Sequence, residues 1–175
     1  MKANVSQQEA LRMFRAGGVS SLLCRARNGL LQKIADVYVP FQLFHVKYQI
    51  GREAHARIFA IDAVDGSLDL FEFPSVPEAA QLCNVETSNA LEAVLSGERV
   101  EELLREKVLR VIFQQGFFKV RDTKLELVRE EMELHVPYWL GFYGQTVVTC
   151  RVIDAVRRRI EGAKASAFFE EWLAA

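Results

Sequence analysis

The sequence has few cysteines and no paired cysteine spacing. Cys24, Cys83 and Cys150 stand far apart in a chain of 175 residues, so the close spacing typical of zinc or redox motifs is missing. Their odd number argues against a disulfide framework. We therefore expect three thiols that act as small buried side chains in a protein of the reducing cytoplasm.

Long apolar runs and an excess of charge are also missing. The longest uncharged stretch, residues 136–150, is too short for a membrane helix. The first residues lead into polar side chains, which predicts no signal peptide. Lys and Arg number 22 and Asp and Glu 23, so no long-range attraction to nucleic acid or membranes is expected. Such a neutral surface gives little colloidal repulsion, and we expect a homo-oligomer, a dimer.

Catalytic motifs are absent as well. No phosphate-binding loop, dinucleotide fingerprint or nucleophile elbow occurs. The histidines, His45, His55 and His135, show none of the spacings that bind metals. The sequence therefore predicts no catalytic residue, no metal and no cofactor.

Hydrophobic residues make up 50% of the chain, enough for a sizeable core. Three short patterns recur in the same order, at offsets of 99 (113 − 14), 97 (136 − 39) and 92 (153 − 61) residues. They are Phe14-x-x-Gly17 with Phe113-x-x-Gly116, Val39-Pro40-Phe41-x-Leu43 with Val136-Pro137-Tyr138-x-Leu140, and Ile61-Asp62-Ala63-Val64 with Ile153-Asp154-Ala155-Val156. This repetition predicts an ancient duplication.

Each copy starts with a helix. Ser6 and Glu9 form a capping-box pattern that opens a short helix, which Gly17-Gly18 ends. In the second copy an apolar stripe predicts a longer helix that ends at Gly116. Two further helices are predicted at residues 89–95 and near the C-terminus. The two stripes consist of Val100, Leu103, Leu104, Val108, Val111 and Ile112, and of Ala165, Phe168, Phe169, Trp172 and Leu173.

Strands follow each helix. Residues 37–48 and 134–142 are rich in aromatic and β-branched side chains. Asp65-Gly66 predicts a two-residue hairpin loop between residues 57–64 and 67–73, and Gly144-Gln145 another before residues 146–156. Arg157-Arg158 stands where the first copy has Asp65-Gly66, so the chain is expected to leave the sheet there.

These elements predict one α+β domain over residues 1–175. The first copy covers about 1–75, a linker helix about 76–97, and the second copy about 98–175. We expect one pseudo-twofold antiparallel sheet with helices packed on one face.

The segment from Phe59 to Gly66 resembles the V-D-A-x-x-G hairpin of PepSY-like domains, and the aromatic strands resemble Y-x-P-[FY] patterns of uncharacterised bacterial proteins. The resemblance covers about a quarter of the chain and implies no catalytic residue. PepSY-like domains are usually extracytoplasmic, whereas we expect no signal peptide in this chain.

Asp62 and Asp154 occupy matched positions in the two copies. Two symmetry-related carboxylates could share a proton or a metal. A carboxylate near a strand end also accepts backbone N–H bonds from the following turn. We favour this second interpretation, because neither residue has another acidic side chain at a fixed spacing.

The strand at residues 134–143 is apolar on both faces, since Trp139 and Tyr143 alternate with Tyr138, Leu140 and Phe142. Trp139 therefore belongs to the core, to an oligomer interface or to a ligand pocket. As an interface anchor its truncation to Ala would weaken the oligomer by about 2 kcal/mol. The candidate residues for an interface or ligand are Phe41, Phe44, His135, Trp139 and Tyr143.

Arg157, Arg158 and Arg159 form the densest basic cluster and are the candidates for binding an anion. A solvated face explains such a cluster better than a nucleic-acid site in a chain without net positive charge.

Three functions remain open. We favour a non-enzymatic interaction or scaffold module of bacterial type. The alternatives are a protein that binds a small apolar ligand between sheet and helices, and a nucleic-acid binder that uses the arginine cluster.

Overall fold

A computed structural model describes residues 1–15, 29–50, 52–114, 124–144 and 148–174 of the chain. The six strands form one antiparallel sheet in the order β3-β2-β1-β4-β5-β6, and together with three α-helices they confirm the predicted α+β class. The helices are α1 (Gln7–Arg15), α2 (Glu98–Gln114) and α3 (Ala163–Ala174), and the strands are β1 (Leu31–Ile50), β2 (Glu53–Asp62), β3 (Phe71–Phe73), β4 (Leu125–Tyr143), β5 (Thr149–Asp154) and β6 (Arg159–Ile160).

The chain divides into two compact units, and each unit draws on both halves of the sequence. The first unit comprises Met1–Val39, Cys83–Leu91 and His135–Ala175, and the second comprises Pro40–Leu82 and Glu92–Leu134. The units differ from the predicted copies because β1 and β4 are 20 and 19 residues long. Each of these strands contributes one end to each unit.

In the first unit α1 covers one face of the sheet. The helix begins as predicted, since Ser6 Oγ accepts a hydrogen bond from the N–H of Glu9 at 3.3 Å. Its buried residues Ala10 and Phe14 pack in a cluster with Tyr143, Ile153 and Trp139. A side-chain carbon at Gly141 would lie 3.0 Å from the Phe14 ring, so the glycine lets the helix approach the strand closely.

In the same unit α3 covers the other face. Phe168 and Phe169 are buried, and the Phe169 ring lies 5.6 Å from that of Tyr138. Because neighbouring residues of a strand point to opposite faces, Tyr138 meets α3 whereas Trp139 lies with α1. The prediction that the helices pack on one face is therefore wrong for this unit.

In the second unit α2 covers one face of the sheet. Four residues of the predicted stripe are buried, which confirms this helix. They pack on strand residues that share a face, as the pairing of Phe44 with Phe59 requires. The helical residues are Val100, Leu104, Val108 and Ile112, and the strand residues are Phe44, Val46, Tyr48, Phe59 and Ile61.

The turn after β2 is longer than the predicted hairpin loop. β2 ends at Asp62 and β3 begins only at Phe71, although Gly66 has the positive φ, 70°, that the turn chemistry required. The buried Asp62 carboxylate accepts hydrogen bonds from the N–H groups of Asp65, Gly66 and Leu68 at 3.1, 2.8 and 2.9 Å. The loop is wide because it wraps around this carboxylate.

Asp154 organises the turn after β5 in a similar way. Its buried carboxylate accepts hydrogen bonds from the N–H groups of Val156 and Arg157 at 2.8 and 2.7 Å. Both aspartates thus bind backbone N–H groups of the turn that follows their strand, which is the interpretation that the sequence favoured. They belong to different units.

The segments that share sequence patterns also share local geometry. The carbonyl of Pro40 accepts a hydrogen bond from Ala63 N–H at 2.8 Å, and that of Pro137 accepts one from Ala155 N–H at 3.1 Å. Across the strands, Phe41 pairs with Asp62 and Tyr138 with Asp154.

We expected the chain to leave the sheet after Asp154, and this prediction is wrong. Arg158 takes up the left-handed conformation in place of a glycine, with φ 57°. The next residues form β6, in which Ile160 pairs with Ile153. A left-handed turn therefore follows both β2 and β5.

The predicted linker helix at residues 89–95 is wrong. The linker contains a 3-10 helix, Ala79–Gln81, and Ala90 then forms a parallel bridge with Tyr38. Tyr38 N–H donates to Asn89 O, and Leu91 N–H donates to Tyr38 O, both at 2.9 Å. β1 extends beyond the end of β2, so its backbone takes partners from the linker. Gly17-Gly18 and Gly116, where the two helices were predicted to end, lie outside the described residues. Most of the predicted Gly144-Gln145 turn also lies outside them.

Replacing Asp62 with Ala should lower the free energy of unfolding by about 2–4 kcal/mol, because buried N–H groups lose their acceptor. Urea denaturation measures the loss. Asp65→Ala is the matched control, since the Asp65 carboxylate binds only the exposed N–H of Ser67 at 2.7 Å among the described contacts. Equal losses in the two variants would show that Asp62 does not organise the turn.

Candidate functional site

Trp139 and Tyr143, the strongest interface candidates from sequence, lie among the packing contacts of the first unit. Tyr143 is buried, and its hydroxyl donates to the carbonyl of Phe14 at 3.0 Å. Trp139 is half-buried, and its Nε1 donates to the carbonyl of Val5 at 2.9 Å. Their polar atoms are thus directed at α1 and the residues just before it.

The four aromatic residues of the predicted ligand pocket are divided between the two units. Phe41 and Phe44 are buried in the second unit but point to opposite faces of β1. Phe41 meets Phe71 edge-on at 5.2 Å, whereas Phe44 lies under α2. Trp139 and Tyr143 belong to the α1 cluster of the other unit.

Each of the three histidines has a different contact partner. His135 is half-buried, and its backbone carbonyl accepts a hydrogen bond from the Met1 amino group at 2.6 Å. His45 Nε2 hydrogen-bonds to a Glu130 carboxylate oxygen in the second unit. The His55 ring stacks on Tyr48 with centroids 5.1 Å apart. Within the described residues no three His, Cys, Asp or Glu side chains are grouped in a way that could hold a metal ion.

The arginine cluster is occupied by ion pairs. Arg157 Nε lies 2.5 Å from the Asp154 carboxylate, and Arg159 Nε lies 2.8 Å from that of Glu161. Arg158 donates to the carbonyl of Asn4 at 2.8 Å and pairs with the Glu9 carboxylate. These contacts neutralise the charges and join the turn after β5 to the N-terminal segment, so the cluster serves the first unit internally.

Cys150 is a buried cysteine of the first unit. Burial raises the pKa of its thiol to about 12, with a smaller contribution from the nearby Glu170. A thiol with such a pKa holds its proton at neutral pH and is a poor nucleophile. Cys83, in contrast, is exposed.

The second unit presents a sheet face that no described helix covers. α2 packs on the face that contains Phe44, so the residues next to it in sequence, Leu43 and His45, point to the opposite face. In the first unit the corresponding face, which contains Tyr138, is covered by α3. Between β3 and α2 the described chain forms a 3-10 helix and a linker but no α-helix.

This uncovered face contains an open groove with a volume of about 590 Å³. Its floor is made of small and apolar side chains of β2 and β3, of which Ala54 and Ala56 are exposed and Ile58 and Phe73 half-buried. The lining residues come from three neighbouring strands and the segment after β3: His45, Val46, Lys47, Ala54, His55, Ala56, Arg57, Ile58, Glu72, Phe73 and Pro74.

Ion pairs surround the groove. Lys47 Nζ lies 3.4 Å from the Glu126 carboxylate, and both side chains are more than half exposed. Arg57 pairs with Glu72 at the sheet edge. The hydrogen bond that Arg57 donates to the Glu72 carboxylate is the main reason that the pKa of Arg57 is raised. Exposed pairs of this kind contribute little to stability and exchange readily with new partners.

Sequence reasoning did not find this groove. The one available signal was the alternation in β2, where Ala54, Ala56, Ile58 and Ala60 put small apolar side chains on one face. Which face a helix covers depends on the tertiary arrangement, and periodicity within the strand does not contain that information.

No protein-family model matches the chain, and neither a curated protein nor a solved structure is significantly similar to it. None of the described helices is long and apolar enough to cross a membrane.

Truncation of Trp139 to Ala should lower the free energy of unfolding by about 2–4 kcal/mol, since it opens a cavity beneath α1. Trp139→Phe keeps the ring packing but loses the hydrogen bond to Val5, so the loss should be near 1 kcal/mol. Thermal and urea unfolding measure both variants. A fully stable Trp139→Ala protein that no longer self-associates would instead identify Trp139 as an interface anchor.

The chain should not bind random duplex DNA or RNA tightly at moderate salt, because acidic partners neutralise its arginine cluster. A fluorescence-anisotropy titration tests this expectation. A submicromolar, steeply salt-dependent affinity that disappears in Arg158→Glu would contradict it and locate the site.

Proposed function

We propose that the chain is a non-enzymatic protein-interaction module of bacterial type that works in the cytoplasm and self-associates through the uncovered face of its second unit. The observation that carries this proposal is the unequal covering of the two units. Among the described helices, α1 and α3 lie on opposite faces of the sheet in the first unit, whereas the second unit has α2 on one face. Phe41 and Leu43 of this face are buried, but Ala54 and Ala56 at the groove are exposed, and exposed apolar patches often mark interaction sites.

The proposal includes an ancient duplication. In support, α1, β1, β2 and β3 repeat as α2, β4, β5 and β6 in chain order. The paired carbonyls of Pro40 and Pro137, the two buried aspartates and the left-handed turns lie at matched positions. α3 has no counterpart among the described helices, so duplication would leave one face of the second unit uncovered.

Binding of a small apolar ligand is the second candidate. The groove volume of about 590 Å³ falls within the range of roughly 300–1,000 Å³ that is usual for small-molecule sites. Against this, the groove is open and its rim is charged, whereas ligand sites bury most of their ligand. We therefore place protein binding first.

Sedimentation velocity over a range of concentrations tests the proposal. At tens of micromolar the protein should sediment as a dimer or larger species and dissociate on dilution. A protein that remains monomeric at the highest concentration would refute self-association. A monomer that retains a small molecule in native mass spectrometry would favour the ligand-binding alternative.

A further inference from the structure

The first helix of each half of the chain packs on the other half. We define the first half as residues 1–84 and the second half as residues 85–175. Apart from Val5, the buried residues that pack with α1 of the first half come from the second half, namely Tyr143, Ile153 and Ala155. In turn, the buried residues that pack with α2 of the second half all come from the first half. They are Phe44, Val46, Tyr48, Phe59 and Ile61. Each half therefore depends on the other to bury the apolar stripe of its helix.

Backbone hydrogen bonds also join the halves. β1 of the first half lies beside β4 of the second half in the sheet. The N–H of Asn4 donates to the carbonyl of Ala155 at 2.7 Å. The N–H groups of Val94 and Leu95 both donate to the carbonyl of Ala63, at 2.8 and 2.7 Å. An apolar centre with hydrogen bonds around it is the usual composition of an interface between subunits.

The covalent connection between the halves runs along the surface. Within residues 78–86 only Leu82 is half-buried, and the other residues are exposed. The 3-10 helix Ala79–Gln81 lies in this segment. The segment therefore buries little apolar area, and its main effect is to keep the two halves close together. A short linker of this kind gives the attached partner an effective concentration on the order of millimolar.

We propose that the two halves form a complete binding interface that does not need the linker, so that a half of a second copy can replace the chain's own half. The partner that fits this surface is a second copy of the chain, and two copies associate by exchanging halves. While the linker is intact, the high effective concentration favours the pairing of halves within one chain. Cleavage of the linker removes that preference. The inference uses no contact at the groove and goes beyond the self-association proposed above.

Cleavage of the linker in the folded protein tests the inference. A recognition site for a specific protease is inserted between the exposed residues Asn84 and Val85 of the full chain. After cleavage the two fragments should elute together at the volume of the uncut chain, with unchanged circular dichroism. Fragments that separate or unfold on cleavage would show that the linker is needed, and the inference would fail.

Exchange between copies is measured with two cleaved samples, one of them labelled with nitrogen-15. The samples are unfolded together in urea and refolded by dilution. Native mass spectrometry should then detect complexes that contain one labelled and one unlabelled fragment, in the statistical proportion. Refolded complexes without such hybrids would overturn the exchange of halves.

A variant of α2 tests whether the contacts between the halves hold the cleaved protein together. Leu104 is fully buried against the first half, so Leu104→Ala should raise the dissociation constant of the fragments about 100-fold. The concentration dependence of urea unfolding gives this constant. Val94→Ser is the matched control and should leave the constant unchanged, because the Val94 side chain is 73% exposed.

Val108→Ala, at another fully buried position of α2, replaces Leu104→Ala if the uncut Leu104 variant does not fold. An unchanged dissociation constant in these variants would refute the inference. Ala56→Glu separates it from the self-association proposed above. This substitution in the groove should weaken association of the uncut chain and leave the cleaved fragments bound to each other.

Discussion

The need to cover both faces of two long strands shapes the whole molecule. β1 and β4 contribute to each unit, and along much of their length the side chains on both faces are apolar. Alternation prevents any single helix from covering both sets of side chains. In the first unit α1 serves the face with Trp139 and Tyr143, and α3 serves the face with Tyr138. Without either layer, large aromatic side chains would meet water.

Elements whose signals are local could be predicted from the sequence. The Ser6 cap begins α1, and the stripe from Val100 to Ile112 forms the buried side of α2. Asp62 and Asp154 bind turn N–H groups, as short-range side-chain chemistry suggests. In each case the pattern is contained within the helix or turn that it specifies, so a short window of sequence is enough to read it.

Features that depend on distant partners could not be predicted. Residues 89–95 have helical character, but Tyr38 of β1 lacks backbone partners beyond the end of β2, and the linker supplies them through Asn89 and Leu91. Asp65-Gly66 has hairpin chemistry, but the buried Asp62 needs three N–H donors and widens the loop. Trp139 was ambiguous for the same reason, since only the position of α1 decides what covers it.

The unequal covering of the units has a cause in chain connectivity. After β3 the chain has to reach the start of α2, and the intervening linker also supplies partners to β1 at Tyr38. After β6 the chain continues as α3, which packs on the sheet of its own unit. The same order of elements therefore acquires a covering helix in one unit and retains an open groove in the other. The groove over Ala54, Ala56 and Ile58 follows from this difference, because no described helix lies on that part of the sheet.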